Sequence, residues 1–511
     1  MHPAPEGPPP RWLLALVWAA SAVTLAGVLL VAVLPCDWIT HCWLLEQVAS
    51  RWLRDGVPPL LLDTAGRTGD PWLLFYGLGV YVPLSPFAWL LGGPAGIKAA
   101  AVSLHALLGW RVVQLVWRGT GSAGVSACLS TLVLSTMYPV STLGARGAVA
   151  EFFAYELVGV ALVSLVLGWA AGPGLRAALL VEACCAATLG CLAHPPTLLL
   201  ETLFLLPVLL TLLWALGPPA LSATQAAIFA AALALCAITV GLFLAIVIPS
   251  LSQIDLRGYG LLGYFGGSID HPFARLYPLP LEFLFTPTIG AHLMAPLHGT
   301  LAVVLLAGWL AAGRGRRLAV RAIPAGALGL VALLIAVVLS LPVWPMEERG
   351  FADMRMAAGD SLPSRLVAPV QFAYRLVGTQ DLLLLLLACA TFVRIGERDA
   401  VGAWLARSRT GWTLLVACTT LGLAAVAQQA LYVVKPFTTQ PGRGTAEEAL
   451  AVVTNTAHMP PSFDTFGAYA MPRIFPLLGP EAGTPIAAPS GLARSPSAAD
   501  SRSSARAPAP S

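Results

Sequence analysis

Residues 35–81 read PCDWITHCWLLEQVASRWLRDGVPPLLLDTAGRTGDPWLLFYGLGVY and follow directly on an apolar run over residues 12–34. This stretch gathers Asp37, His41, Asp63 and Asp70 among Trp38, Trp43, Trp52 and Trp72, in a chain where only 11% of residues are charged. Acids collected beside an apolar run of spanning length are expensive there unless they are paired or functional.

Working outward, composition sets the class. Of 511 residues, 57% are hydrophobic, and the mean hydropathy is +0.78. Soluble domains run near half apolar and a quarter charged. A spanning helix needs about 20 apolar residues, and one run after another reaches that length. The alternating segments of a transmembrane barrel are absent from the sequence. The expectation is an all-α polytopic membrane protein. A net charge of +4 is small and dispersed, which argues against a nucleic-acid partner. The bilayer is the partner that composition names.

Basic residues orient the spans, since they collect on the cytoplasmic side. Arg11 precedes the first helix, which is too long for a signal-peptide core and is read as retained. This keeps the short N-terminus (1–11) inside and puts residue 35 outside. The outer loop, 35–96, then offers two interfacial helices. On a helical wheel Trp38, Leu45, Val48, Ala49 and Trp52 share one arc while Glu46, Gln47, Ser50 and Arg54 lie opposite. Asp37 and His41 fall towards the apolar arc. The second candidate, 71–91, is interrupted by Pro83, Pro86 and several glycines, and reads as a surface hairpin. Were it a span, Arg111 and Arg118 would end outside. Further spans follow at 97–117, 122–143, 152–171, 177–193, 197–216, 225–249, 297–313, 322–343, 370–394 and 411–434, giving about 11 helices in a range of about 11–13. Arg176, the group Arg314 to Arg321, and the group Arg394 to Arg409 then fall inside. The membrane domain is 12–434, with a second outer loop at 250–296. An extracytoplasmic segment (435–479) and an Ala/Pro/Ser tail (480–511) too poor in large apolar residues to fold complete the chain.

This topology brings separated polar residues to one level: Asp37 after the first helix, Arg146 and Glu151 at the ends of consecutive spans, and His194 between two more. Taken singly, each has a bland reading, an Arg–Glu structural pair or a helix-end histidine beside a Pro-Pro break. Taken together, they favour a site at the outer face. Asp70 ranks second and Asp63 lower. Glu182 and Glu201 read as polar groups in helix packing, and His105 as a hydrogen-bonding residue within a helix. Asp255, Asp270 and His271 decorate a loop without diagnostic metal spacing. The nine cysteines show no CxxC pair. Cys36 and Cys42 flank the Asp37–His41 pair, and a disulfide between them is open if the loop faces an oxidising compartment.

One long helix, then an outer loop that opens with an acid and carries two interfacial helices, resembles the C-type glycosyltransferase fold of multi-spanning enzymes that use polyprenyl-phosphate sugars. The order of motifs resembles more closely the bacterial membrane proteins labelled 6-pyruvoyl-tetrahydropterin synthase-related. Their acid and histidine after the first helix match Asp37 and His41, and their glycine-rich approach to Phe-Tyr matches Gly69, Phe75 and Tyr76. An Arg…Glu–aromatic segment matches Arg146 to Ala154, a helix-start His-x-Pro matches His194 to Pro196, and a Gln-Phe-x-x-Arg motif matches Gln371 to Arg375. Two positions depart from the pattern: Gly77 stands where proline is common, and Ala-Tyr-Arg where Pro-Trp-Arg is often seen. The resemblance covers roughly 12–475.

It implies transfer of a sugar from a polyprenyl-phosphate donor to a cell-envelope acceptor at the outer face of the bacterial inner membrane. Asp37 would be the base. Arg146 and Arg375 would meet the phosphate. His41, Asp70, Tyr76, Glu151, His194 and Gln371 would line the substrate site. No cofactor is called for, and a divalent metal held by Glu151 and His41 stays open. The alternatives are a transporter or lipid-carrier flippase, whose charges would sit at the midplane on broken helices, and a non-catalytic envelope-assembly protein.

Overall fold

The computed structural model describes residues 7–30, 38–59, 62–64, 67–70, 73, 77–170, 173–253, 323–340, 375–392 and 408–439. Asp37, Tyr76 and Gln371 lie outside the described residues, as do the expected span 297–313, the loop 250–296 beyond Gln253, and the segment from 440 onward.

The described chain is mostly helical. It contains five helices long and apolar enough to cross a membrane, or six if one bent pair counts as a single span. The first expected span is two pieces, α1 (Arg11–Thr24) and α2 (Ala26–Leu30). The first interfacial helix is α3 (Trp38–Asp55). A short antiparallel hairpin follows, β1 (Leu62–Thr64) with β2 (Arg67–Asp70), which pairs Leu62 with Asp70 and Thr64 with Arg67. This departs from an all-α expectation. Asp63 and Asp70 lie on its strands.

The second surface element is α4 (Leu78–Leu91), whose 14 residues include Pro83 and Pro86. At 1.5 Å per residue it covers about 21 Å, short of the roughly 30 Å hydrocarbon core. It turns back at Gly92, where φ is 80°, into the long span α5 (Gly93–Thr120). A Cβ on Gly79 would stand 2.1 Å from the Leu189 carbonyl oxygen, so only glycine lets α4 lie on the end of α9 (Pro173–Ala193).

The expected span 122–143 is broken. Helix α6 (Ala123–Leu134) ends at Ser135, and a short helix α7 (Met137–Ser141) leads into a π-helical turn, Thr142–Arg146. The two parts meet at 42°. Pro139 causes the break, because its ring excludes a helical carbonyl four residues earlier, at Ser135. Gly147, at φ 73°, then turns the chain into α8 (Val149–Ala170). Helix α8 is almost wholly buried and packs against α5, α9 and α14 (Arg375–Phe392).

The span expected at 197–216 is α10 (Pro195–Leu200), a second π-helical turn, Glu201–Leu205, and α11 (Leu206–Leu216). The π turn sits just before Pro207, which cannot donate to the helical ladder. Helices α12 (Ala223–Gln253), α13 (Ile323–Ser340) and α15 (Arg409–Thr439) complete the described bundle.

Two large apolar clusters among the described residues organise it, and a smaller one joins α1 to α5 and α6. The larger joins α5, α6, α8, α11, α13 and α14 through residues such as Leu108, Leu132, Val160, Leu212 and Leu383. The second joins α3, α4, α5 and the start of α8 through Trp38, Leu45, Tyr81, Ile97 and Phe152. The apolar arc of α3 therefore docks on the helix bundle rather than on lipid. Burying Trp38, Leu44, Leu45 and Val48 contributes about 1.5–3 kcal/mol each, more than the about 0.5–1.5 kcal/mol of a hydrogen bond. Packing holds α3, and its hydrogen bonds set where it sits.

Candidate functional site

The breaks in the spans are what gather the polar residues. Glu151 falls in the first turn of α8, where the helix dipole favours a carboxylate. It is 1% exposed. Three groups converge on it. The Tyr138 hydroxyl, on the short helix α7 created by the Pro139 break, donates to Oε1 in a very short contact. Arg375, 224 residues further along, donates from Nε to Oε2 at 3.2 Å. His194 brings Nε2 to 3.9 Å from the same oxygen.

Each partner is itself positioned. His194 stands at the extended position before α10, followed by prolines pre-set for a helix start, and its Nδ1 is bonded to Thr197 Oγ1 at 2.7 Å. Arg375 is the first described residue of α14, and Glu151 supplies the countercharge to its guanidinium. Gly378, one turn on, admits the Tyr138 ring: a Cβ there would be 2.5 Å from Cε1. The Tyr138 ring also packs against Tyr155, with centroids 5.5 Å apart.

A second set of bonds ties α3 to this region. Trp38 Nε1 donates to the Leu143 carbonyl at 2.8 Å, inside the π turn that ends at Arg146. His41, 2% exposed, has its Nδ1 bonded to the Tyr81 hydroxyl at 2.5 Å. Burial drops the His41 imidazole to about 3, so the ring is neutral at physiological pH. Glu46 Oε1 accepts the Gly93 N–H at 2.6 Å and caps α5, while Trp89 Nε1 donates to the Ala49 carbonyl at 2.8 Å. Cys42 is a buried thiol on α3, and Cys36 lies outside the described residues. Burial, reinforced by Glu46, pushes the Cys42 thiol up to about 12 against the pull of Lys98.

Of the residues that stand out in the sequence, then, Glu151, His194 and Arg375 meet through their side chains. Arg146 closes the π turn beside them, and Asp70 lies on β2. His41 belongs to the adjoining α3–α4 seam. Tyr138 and Tyr81 are additions that the sequence does not single out; both sit in apolar surroundings, where a tyrosine carries no charge signal, and only the Pro139 break beside Tyr138 could flag one of them. Among the described residues no group of three or more His, Cys, Asp or Glu is arranged to hold a metal ion.

Two further pairs lie within the bundle, one buried and one partly buried. His105 bridges Glu156 Oε1 and the Leu134 carbonyl, both at 2.9 Å, which gives the hydrogen-bonding role expected of it, with Glu156 as an unanticipated partner. Arg111 forks onto Glu182, with Nε to Oε1 at 2.7 Å, and Ser164 joins at 2.8 Å. Arg111 is therefore engaged within the bundle, and Arg118 carries more of the orientation argument.

Among solved structures, the chain is similar to ArnT from Cupriavidus metallidurans bound to undecaprenyl phosphate, at 15% identity and a TM-score of 0.38, covering 90% of this chain and 75% of that one. It is also similar to the oligosaccharyltransferase of Archaeoglobus fulgidus in the apo form, at 13% identity and a TM-score of 0.43, covering 90% and 60%. AglB from the same archaeon, in complex with an inhibitory peptide and a dolichol-phosphate, gives 13% identity, a TM-score of 0.39 and coverage of 90% and 59%. No family profile and no curated protein sequence matches the chain. The likeness to the 6-pyruvoyl-tetrahydropterin synthase-related proteins rests on the ordered motifs alone.

Proposed function

We propose that this chain is an inverting membrane glycosyltransferase that moves a sugar from a polyprenyl-phosphate donor to a cell-envelope acceptor at the outer face of the bacterial inner membrane. The observation that carries the reading is the buried Arg375–Glu151–Tyr138–His194 constellation at the ends of four helical segments. An arginine so held is a fixed, undeprotonatable cation with a planar fork, the group that suits a phosphate. Glu151 and Tyr138 orient it, and Arg146 adds a second cation from the neighbouring turn. The tie from Trp38 to Leu143 brings the start of α3, next in sequence to Asp37, to the segment that ends at Arg146.

In this reading Asp37 accepts the proton of an acceptor hydroxyl as its oxygen attacks the anomeric carbon. The bond from that carbon to the phosphate oxygen breaks, and the electron pair leaves with the polyprenyl phosphate, whose developing charge Arg375 and Arg146 stabilise. His41 is neutral and bonded to Tyr81, so its part is to hold α3 in place. Asp70, Tyr76, His194 and Gln371 contact substrate. A divalent metal has no assigned step.

The test is turnover of lipid-linked sugars by the full chain reconstituted in liposomes. The wild type should transfer sugar from at least one polyprenyl-phosphate donor. Asp37→Asn should abolish transfer with membrane insertion intact. Full activity in that variant removes Asp37 from the mechanism, and no turnover across a donor panel removes the reading itself.

A further inference from the structure

The polar face that begins at His194 continues into the membrane. Thr197 and Glu201 follow at three and seven residues, on the buried side of the run that also carries Leu205, Val208 and Leu212. Glu201 opens the π turn and lies about 10 Å along the helix axis from His194. It is 9% exposed, and its Oε1 is buried without a hydrogen-bond partner. Three other carboxylates of the bundle have a basic side chain beside them, Glu151 with Arg375, Glu156 with His105 and Glu182 with Arg111, although Glu156 also leaves its Oε2 without a hydrogen-bond partner.

The surroundings supply no countercharge among the described residues. Helices α13 and α14 pack against the π turn. Helix α13 has no titratable side chain, and α14 has Arg375, already engaged by Glu151, together with Asp381 and Cys389. Helices α10 and α11, on the same run, have none. From α9, Cys191 is the electrostatic neighbour, with Cys236 of α12 beyond it. An uncompensated carboxylate taken from water into apolar surroundings is costly. π turns, moreover, are frequent at functional sites.

We infer that Glu201 is a proton-binding site within the membrane, a carboxyl that exchanges one proton with the polar face above it and carries that proton in the resting protein. This role is independent of the transfer reaction and holds equally if the chain has another activity.

The test is modification by dicyclohexylcarbodiimide, an apolar reagent that attacks protonated carboxyls. The carboxyl oxygen adds to the central carbon, the proton passes to nitrogen, and the isourea formed rearranges to a stable N-acylurea with nothing lost. Detergent-solubilised full-length protein is treated at steps between about pH 5 and pH 9, and the adduct is mapped by peptide mass spectrometry. The expected result is an adduct on Glu201 that declines as pH rises, is unaffected by sodium at fixed pH, and is lost in Glu201→Gln. Because the adduct is mapped on the wild type, the assignment survives a variant that fails to fold. Absence of a Glu201 adduct at every pH, or a yield independent of pH, overturns it. Protection by sodium at fixed pH also overturns it and makes the ligand an alkali cation.

Discussion

The Glu151–Arg375 pair offers the most direct measurement of how the site is built. Glu151→Gln keeps the shape of the side chain and its ability to accept from Nε, and removes only the charge. The guanidinium that remains is 9% exposed on its side chain and cannot shed its proton. Breaking a buried pair from one side costs about 3–5 kcal/mol, because the other charge is left uncompensated. Arg375→Gln should cost a similar amount from the other side. The double variant leaves two neutral amides facing each other, so its loss should fall short of the sum by up to about 3 kcal/mol. Heating the purified protein with a thiol-reactive fluorophore reads this out, since Cys389 on α14 and Cys418 on α15 are free and buried and become reactive only as those helices open. If the single losses add within about 0.5 kcal/mol, the two residues do not act as a unit, and Glu151 is not what positions the guanidinium.

Three further outcomes follow from contacts at the same end of the bundle. The His41 imidazole titrates near 3 in the folded chain and near 6.5 when unfolded, so below about pH 6.5 the unfolded state binds the extra proton. Stability should be flat above that pH and fall by about 1.4 kcal/mol per unit as pH drops towards 3; the same melting assay at stepped pH should show His41→Gln losing that slope, and an unchanged slope would remove His41 as its source. Gly378→Ala would drive a Cβ to 2.5 Å from the Tyr138 ring, an overpacking cost of about 1–3 kcal/mol, and in the transfer assay it should lower turnover as Tyr138→Phe does. Glu46→Ala removes the acceptor that caps Gly93, a loss of about 0.5–2 kcal/mol that should show as faster proteolysis within α3, while Glu46→Gln, which can still accept, should lose less.

What is legible in the sequence depends on the kind of signal each element carries. Helix α3 is readable because its apolar residues repeat at helical spacing, and the face so marked is the buried one. What that face meets is not readable, since an apolar arc looks the same whether it faces lipid or a protein bundle. Helix α4 reads in the sequence as a hairpin broken by Pro83 and Pro86, yet it runs unbroken through both and ends at Gly92. The breaks at Ser135 and in the Glu201 turn escape hydropathy, although Pro139 and Pro207 sit where each is needed. A proline in a long apolar run looks tolerable when the run is judged by hydropathy alone, since its consequence falls four residues earlier.

The same contrast governs the site. Glu151, His194 and Arg375 stand out because an ionisable group in so apolar a chain is conspicuous, and the structure brings the three to one carboxylate. Tyr138 is silent because its importance is wholly relational. It needs the Pro139 break to leave the span, Gly378 to admit its ring, and Glu151, 13 residues on, to accept its hydroxyl hydrogen. Glu201 reverses the case: it is conspicuous, yet it reads as ordinary helix packing, where a polar group finds a partner across the interface. Among the described residues that partner is missing for its Oε1. An acidic residue that sequence alone would file with Glu182 is thereby set apart from it, since Glu182 has Arg111 and no cation stands beside Glu201 among the described residues.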